Sequence, residues 1–139
     1  MISFFYENNT SKLEEEPLKK WLIKACESEG KAIEEIVFIL CDDVYLLEIN
    51  KKFLNHDTYT DIITFDNSVG NLLSADIFIS QERVKENAEI YNCSYDNEMR
   101  RVLVHGLLHL CGYKDKTAKE QALMTSKENE KLALFHVEQ

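Results

Sequence analysis

Two histidines four residues apart inside an apolar run constrain this chain more than any other feature. The stretch Val102 to Asp115 reads VLVHGLLHLCGYKD. Residues four apart on a helix share a face, with roughly 5–6 Å between their Cβ atoms. His105 and His109 can therefore aim their ring nitrogens at one cation, as the paired histidines of helical zinc motifs do. Val102, Leu103, Val104, Leu107, Leu108 and Leu110 surround them, which predicts a helix that is apolar nearly all round and buried. A buried ring left without a partner costs about 1–3 kcal/mol. A shared metal would satisfy both rings, and so would hydrogen bonds to backbone; the spacing alone leaves both readings open.

The residues that follow favour the metal. Gly112 predicts a left-handed helix end, after which the chain reverses within a few residues. That reversal can carry Asp115 back past the C-terminal end of the helix. Catalytic zinc takes three protein ligands and keeps a fourth position open, and a carboxylate is an acceptable ligand beside two imidazoles. His–His–Asp also suits iron, nickel or manganese. Metalloproteases of the helical type place a glutamate directly after the first histidine as general base, whereas this chain has Gly106 there. A peptidase of that kind would lack its base. The missing side chain also lets another backbone, or a substrate, come close to the metal face. His56, in a polar stretch, and His136, near the terminus, read as solvated, with His56 retained as a residue that could line a site just ahead of TDIITFD.

At 139 residues the chain has the length of one domain, 1–139, large enough to bury a core. The N-terminus MISFFYENN has no basic segment and too short an apolar run for a signal peptide. No apolar run reaches the roughly 20 residues of a membrane helix, which leaves the cytoplasm as the default compartment and predicts no membrane partner. Cys26, Cys41, Cys93 and Cys111 form no C-x-x-C pair and read as reduced packing residues. The net charge of −9, from 16 Lys and Arg against 25 Asp and Glu, is the wrong sign for broad phosphate neutralisation. Any nucleic-acid binding needs a localised surface.

Hydrophobic periodicity predicts strands over Ile2–Glu7, Ile33–Cys41, Ile62–Phe65 and Leu72–Ile79. It predicts helices over Glu14–Glu29, Val44–Leu54, from Ser80 to about Tyr91, from Ser94 to Gly112, and over Ala118–Phe135. Asp42 or Asp43 is expected to cap the second helix, with Leu46, Leu47, Ile49 and Phe53 on its inner side. Thr117 and Glu120 form a capping box for the last. The plan is α+β: a single small mixed β-sheet of about four strands packed with about five helices, with a zincin-like metal site on a C-terminal helix.

At the histidine pair the sequence resembles the YbeY family of bacterial rRNA-maturation endoribonucleases. The family pattern H-G-x-L-H-L-x-G-Y-D-H is matched by HGLLHLCGYKD at His105, Gly106, Leu108, His109, Leu110, Gly112 and Tyr113. TDIITFD is similar to the family block T-[DN]-V-L-S-F-P, at Thr60, Asp61 and Phe65. ADIFIS is similar to G-D-I-x-I-S, at Asp76, Ile77, Ile79 and Ser80. The order also agrees through EQALM, where the family has E-x-x-M. The resemblance covers most of Leu46–Leu132. It implies a single metalloprotein domain holding one catalytic Zn2+ by three side chains. It further implies an endonuclease acting on single-stranded RNA, in maturation of the 16S rRNA 3′ end and in ribosome quality control. Partners would then be rRNA and the ribosome or small-subunit assembly factors, with no DNA substrate. The metal-ligand roles fall on His105 and His109, with His105 also the catalytic candidate.

Two positions depart from the family pattern. The third histidine falls on Asp115, which keeps a ligand but adds negative charge, making the metal a weaker Lewis acid. The arginine six residues before the T-D block falls on Leu54, for which Lys51 or Lys52 could supply the charge without the bidentate fork. Asp61 and Asp76 are the carboxylates expected near the site, each with an alternative role in satisfying local backbone. The rivals to a metal-dependent endoribonuclease are a ribosome-biogenesis accessory protein with a structural metal, and a metallohydrolase with a non-RNA substrate.

Overall fold

The computed structural model describes residues 1–137, and the side chains as far as Phe135; the side chain of His136 therefore lies outside the described ones. The order is β1 (Ile2–Tyr6), α1 (Glu15–Ser28), β2 (Ala32–Cys41), α2 (Asp43–Leu54), β3 (Ile62–Asp66), β4 (Leu72–Ser80), α3 (Gln81–Ile90), α4 (Tyr95–Leu110) and α5 (Ala118–Val137). The strands form one sheet in the order β1-β2-β4-β3. β1 and β4 run parallel to β2, and β3 is an antiparallel edge strand on β4, with Ile62 opposite Ile79 and Phe65 opposite Asp76.

Alternation along the strands divides the core. Ile36, Phe38 and Leu40 of β2 and Ala75, Ile77 and Ile79 of β4 point to one face. There they meet Trp21 and Leu22 of α1, Leu103 and Leu107 of α4, and Met124 and Leu132 of α5. The other face of the β3–β4 half carries Phe65 and Phe78, covered by Tyr45, Leu46 and Ile49 of α2. Phe53 was expected inside but is 57% exposed, because it lies in the last turn of α2 beside the edge strand, where it meets Phe65 edge-on at 5.8 Å and carries Lys52 over its ring. Asn50 takes the buried place instead, its amide donating to the Thr58 carbonyl at 2.8 Å and tying down the loop ahead of β3.

The helix starts follow their sequence signals. Asp42 accepts from the Tyr45 N–H, Ser80 from that of Arg83 and Ser94 from that of Asn97. Thr117 and Glu120 satisfy one another's backbone N–H groups. Among the described residues no helix is long and apolar enough to cross a membrane.

Candidate metal centre

Helix α4 is buried on every side but one. Val102, Leu103, Val104, Leu107, Leu108 and Leu110 enter the core, while the side chains of His105 and His109 remain 22% and 30% exposed. The expectation of burial all round is corrected to this extent: the histidine stripe faces an opening. Gly106 sets how closely the helix lies on the sheet. A Cβ there would stand 3.0 Å from Cδ1 of Ile62 and 3.3 Å from Cδ1 of Ile77, so what the glycine admits is the side chains of β3 and β4. A larger side chain at this position would require Ile62 and Ile77 to shift.

The end of α4 builds the rest of the centre. Gly112 has φ 105°; its N–H bonds the His109 carbonyl at 3.0 Å, and the N–H of Tyr113 bonds that of Leu108 at 3.1 Å. This is a Schellman ending. It places the Tyr113 carbonyl 2.9 Å from Nδ1 of His109 and returns Asp115 to the histidines. Oδ2 of Asp115 lies 3.3 Å from both Nε2 atoms, which are themselves 3.0 Å apart. Ligand atoms held tetrahedrally at about 2.0–2.1 Å from one ion are roughly 3.3 Å apart. The three atoms thus outline one face of a coordination tetrahedron.

The protonation pattern agrees. Nδ1 of His105 lies 2.6 Å from Oε2 of Glu128 and Nδ1 of His109 lies 2.9 Å from the Tyr113 carbonyl, partners that favour the Nδ1–H tautomer of each neutral ring. In that form both Nε2 lone pairs and a carboxylate oxygen converge, an arrangement that a cation satisfies. Among the described residues, His105, His109 and Asp115 are the group able to hold a metal ion. Cys111 points away into the core contacts, and burial pushes its thiol up to about 12.

Glu128 is the residue that sequence reasoning passed over. It lies on α5, 23 residues from His105, and its other oxygen accepts from Nη1 of Arg101 at 2.8 Å. Burial works against charge on His105, but the Glu128 hydrogen bond outweighs it and holds the ring above the ordinary imidazole range. Carboxylates in this position fix the tautomer of a ligating histidine and raise its basicity. The loop side is fixed differently. Tyr113 donates from its hydroxyl to Glu29 at 2.7 Å, and Glu29 pairs at 2.6 Å with Lys131, which is only 2% exposed. Burial pushes the Glu29 carboxyl up, yet the hydrogen bonds from Lys131 and Tyr113 and the nearby lysine charges hold it below its usual range.

Two clefts, of about 570 and 780 Å³, meet over the metal face and share Asp61, Ile62, His105 and Asp115. Burial pushes the Asp61 carboxyl up, against the opposing influence of His105 and Arg83. His56 lines the larger cleft beside Leu54. Asp76 does not approach the centre: it is exposed on the face of β4 opposite Ile77, because neighbouring strand residues alternate. Lys51 pairs with Glu48 and Asp57 and Lys52 lies over Phe53, and neither is among the residues that line the two clefts. Lys116 and Leu54 both line the larger cleft.

With this geometry in hand, the comparisons with known proteins agree. The family model described as Endoribonuclease YbeY matches residues 4–136. The protein named Endoribonuclease YbeY of Christiangramia forsetii is 58% identical over 138 residues, covering 99% of this chain and 96% of the relative. Its namesake in Flavobacterium johnsoniae is 54% identical over 139 residues, covering 100% of both. A solution structure of a Thermotoga maritima protein superposes with a TM-score of 0.71 at 29% identity, covering 99% of this chain and 91% of that one.

Proposed function

The chain belongs to the YbeY family, and from that premise we propose that it is a metal-dependent endoribonuclease that cuts single-stranded RNA. Its place would be the cytoplasmic maturation of ribosomal RNA, including the 16S 3′ end, and ribosome quality control, with the ribosome or its small-subunit assembly factors as partners. One domain, 1–139, carries the activity.

The observation that carries this reading is the open fourth direction of the triad. Structural zinc is enclosed by four protein ligands, whereas catalytic zinc has three and an open position. Here the open side faces the junction of two clefts. His105, His109 and Asp115 would hold one Zn2+, which supplies Lewis acidity toward a phosphodiester oxygen or an attacking water.

The remaining work falls to side chains. Glu128 keeps the Nδ1 proton of His105 in place and the ring turned toward the centre. The Tyr113 carbonyl does the same for His109. Asp61, whose carboxyl burial makes easier to protonate, borders both clefts and is the group placed to take or return a proton. Its carboxylate is steadied by the amide of Asn87 at 3.4 Å. The acidic lining and Leu54 in place of arginine favour modest phosphate affinity, which also suits an accessory role with a structural metal.

Single-turnover cleavage of a single-stranded RNA, with metal content measured in parallel on wild type and His105→Ala, separates the readings. Loss of both metal and cleavage in the variant supports the nuclease. Equal cleavage by metal-free variant and wild type overturns it, and bound metal without cleavage by wild type favours the accessory role.

A further inference from the structure

Each of the two clefts carries an exposed tyrosine. Tyr59, in the loop before β3, is 55% exposed and lines the larger cleft. The Arg83 guanidinium lies 5.2 Å from its ring centroid, and that arginine is itself fixed by Asp43 at 2.6 Å. Tyr91, at the C-cap of α3, is 65% exposed and lines the smaller cleft. Between them lies the metal face shared by both clefts.

Cations are scarce along the same path. Carboxylates of Asp61, Asp66, Glu98 and Asp115 line the clefts. Arg101 is committed to Glu128 and Asn129 at 2.8 Å each, which leaves Lys116 as the basic lining residue with no ion pair described for it. Apart from the metal ion itself, whose charge acts at one phosphate, neutralisation by side chains cannot supply much affinity here. Base stacking on aromatic faces can, and it tolerates any sequence.

We propose that Tyr59 and Tyr91 are stacking platforms for two unpaired bases of the RNA, one on each side of the metal face. This rests on the nuclease reading of the same centre. Binding then depends on bases more than on backbone charge. Duplex RNA is excluded because its bases are already stacked on one another and cannot reach either ring.

The test uses metal-loaded full-length protein and a short, fluorescent, cleavage-resistant 2′-O-methyl oligonucleotide, with anisotropy as the readout. Tyr59→Ala and Tyr91→Ala should each weaken binding roughly 5- to 100-fold, and the phenylalanine variants should stay within about twofold. An oligonucleotide with abasic positions should bind wild type and alanine variants alike. The slope of log affinity against log salt should be shallower than about −1.5, the value for two phosphate contacts on a single strand. Alanine variants that bind as wild type does, or a slope of about −3 or steeper, overturn the proposal. If wild type still cuts RNA in that case, the nuclease reading survives without the platforms. Wild type that neither binds nor cuts RNA removes both.

Discussion

His105 and His109 point at the same place but are held by opposite means. His105 leans on a side chain, the Glu128 carboxylate, brought by a different helix from 23 residues away. His109 leans on backbone, the Tyr113 carbonyl, placed by the turn that ends its own helix. A carboxylate partner adds charge and basicity but can be lost in one substitution. A carbonyl partner cannot be deleted, yet it is only as well placed as its loop, and that loop is anchored through Tyr113, Glu29 and Lys131. The centre thus has an electrostatic arm and a mechanical arm.

The contrast breaks first at Glu128. Glu128→Ala should weaken metal affinity roughly 10- to 100-fold, the usual effect of losing a partner behind a ligand, read by competition with a chromophoric chelator. Unchanged affinity would mean the carboxylate is only a partner for Arg101. Gly106→Ala strikes both arms together, since its Cβ would press on Ile62. Overpacking of about 1–3 kcal/mol is offset in part by the roughly 1 kcal/mol that alanine gains over glycine inside a helix. Denaturant unfolding should therefore show a net loss of up to about 2 kcal/mol together with weaker metal binding; a neutral or stabilising result would show that Ile62 moves aside freely. Tyr113→Phe loosens only the mechanical arm. A fall in apo stability of about 0.5–1.5 kcal/mol is expected, with a metal-affinity loss smaller than that of Glu128→Ala. The reverse ranking would invert the roles assigned to the arms.

The smallest effect is in acid and concerns the anchor alone. Glu29 is held below its unfolded carboxylate value, so its stabilisation is full above roughly pH 4.3 and fades as pH falls through the lower folded value. Unfolding of chelator-treated protein between pH 3 and 7 should show this loss, and Glu29→Gln should flatten it. Chelation is needed because protonation of the histidines releases metal earlier in the titration.

The sequence made most of this legible where the signal was local. The histidine spacing, the Gly112 reversal, the return of Asp115 and the caps at Asp42, Ser80, Ser94 and Thr117 all span a few residues, and all are present in the structure. What stayed hidden depends on tertiary distance. Glu128 sits on a helix whose weak amphipathicity says nothing about which carboxylate turns inward. The anchor joins Glu29 to Tyr113 across 84 residues. Phe53 looked like core because it repeats with Leu46 and Ile49 on α2, but periodicity cannot tell that the last turn of a helix lies beside an edge strand. Asp76 looked close to the site because its block is, yet alternation turns its side chain to the far face. A heptad-like test for buried acids on the last helix would have singled out Glu128 only with the fold already known.

The three candidate ligands lie within eleven consecutive residues, from His105 to Asp115, whereas Glu128 behind His105 and the Glu29–Lys131 anchor behind the Tyr113 turn come from distant parts of the chain. An unfolded chain therefore keeps the ligands at high effective concentration and retains some affinity for the ion. Ligand binding stabilises a fold only by the difference between its affinities for folded and unfolded states. Saturating metal should raise the melting temperature by less than the native affinity alone implies. The shortfall measures how much of the site's strength resides in one short peptide and how much the rest of the fold adds.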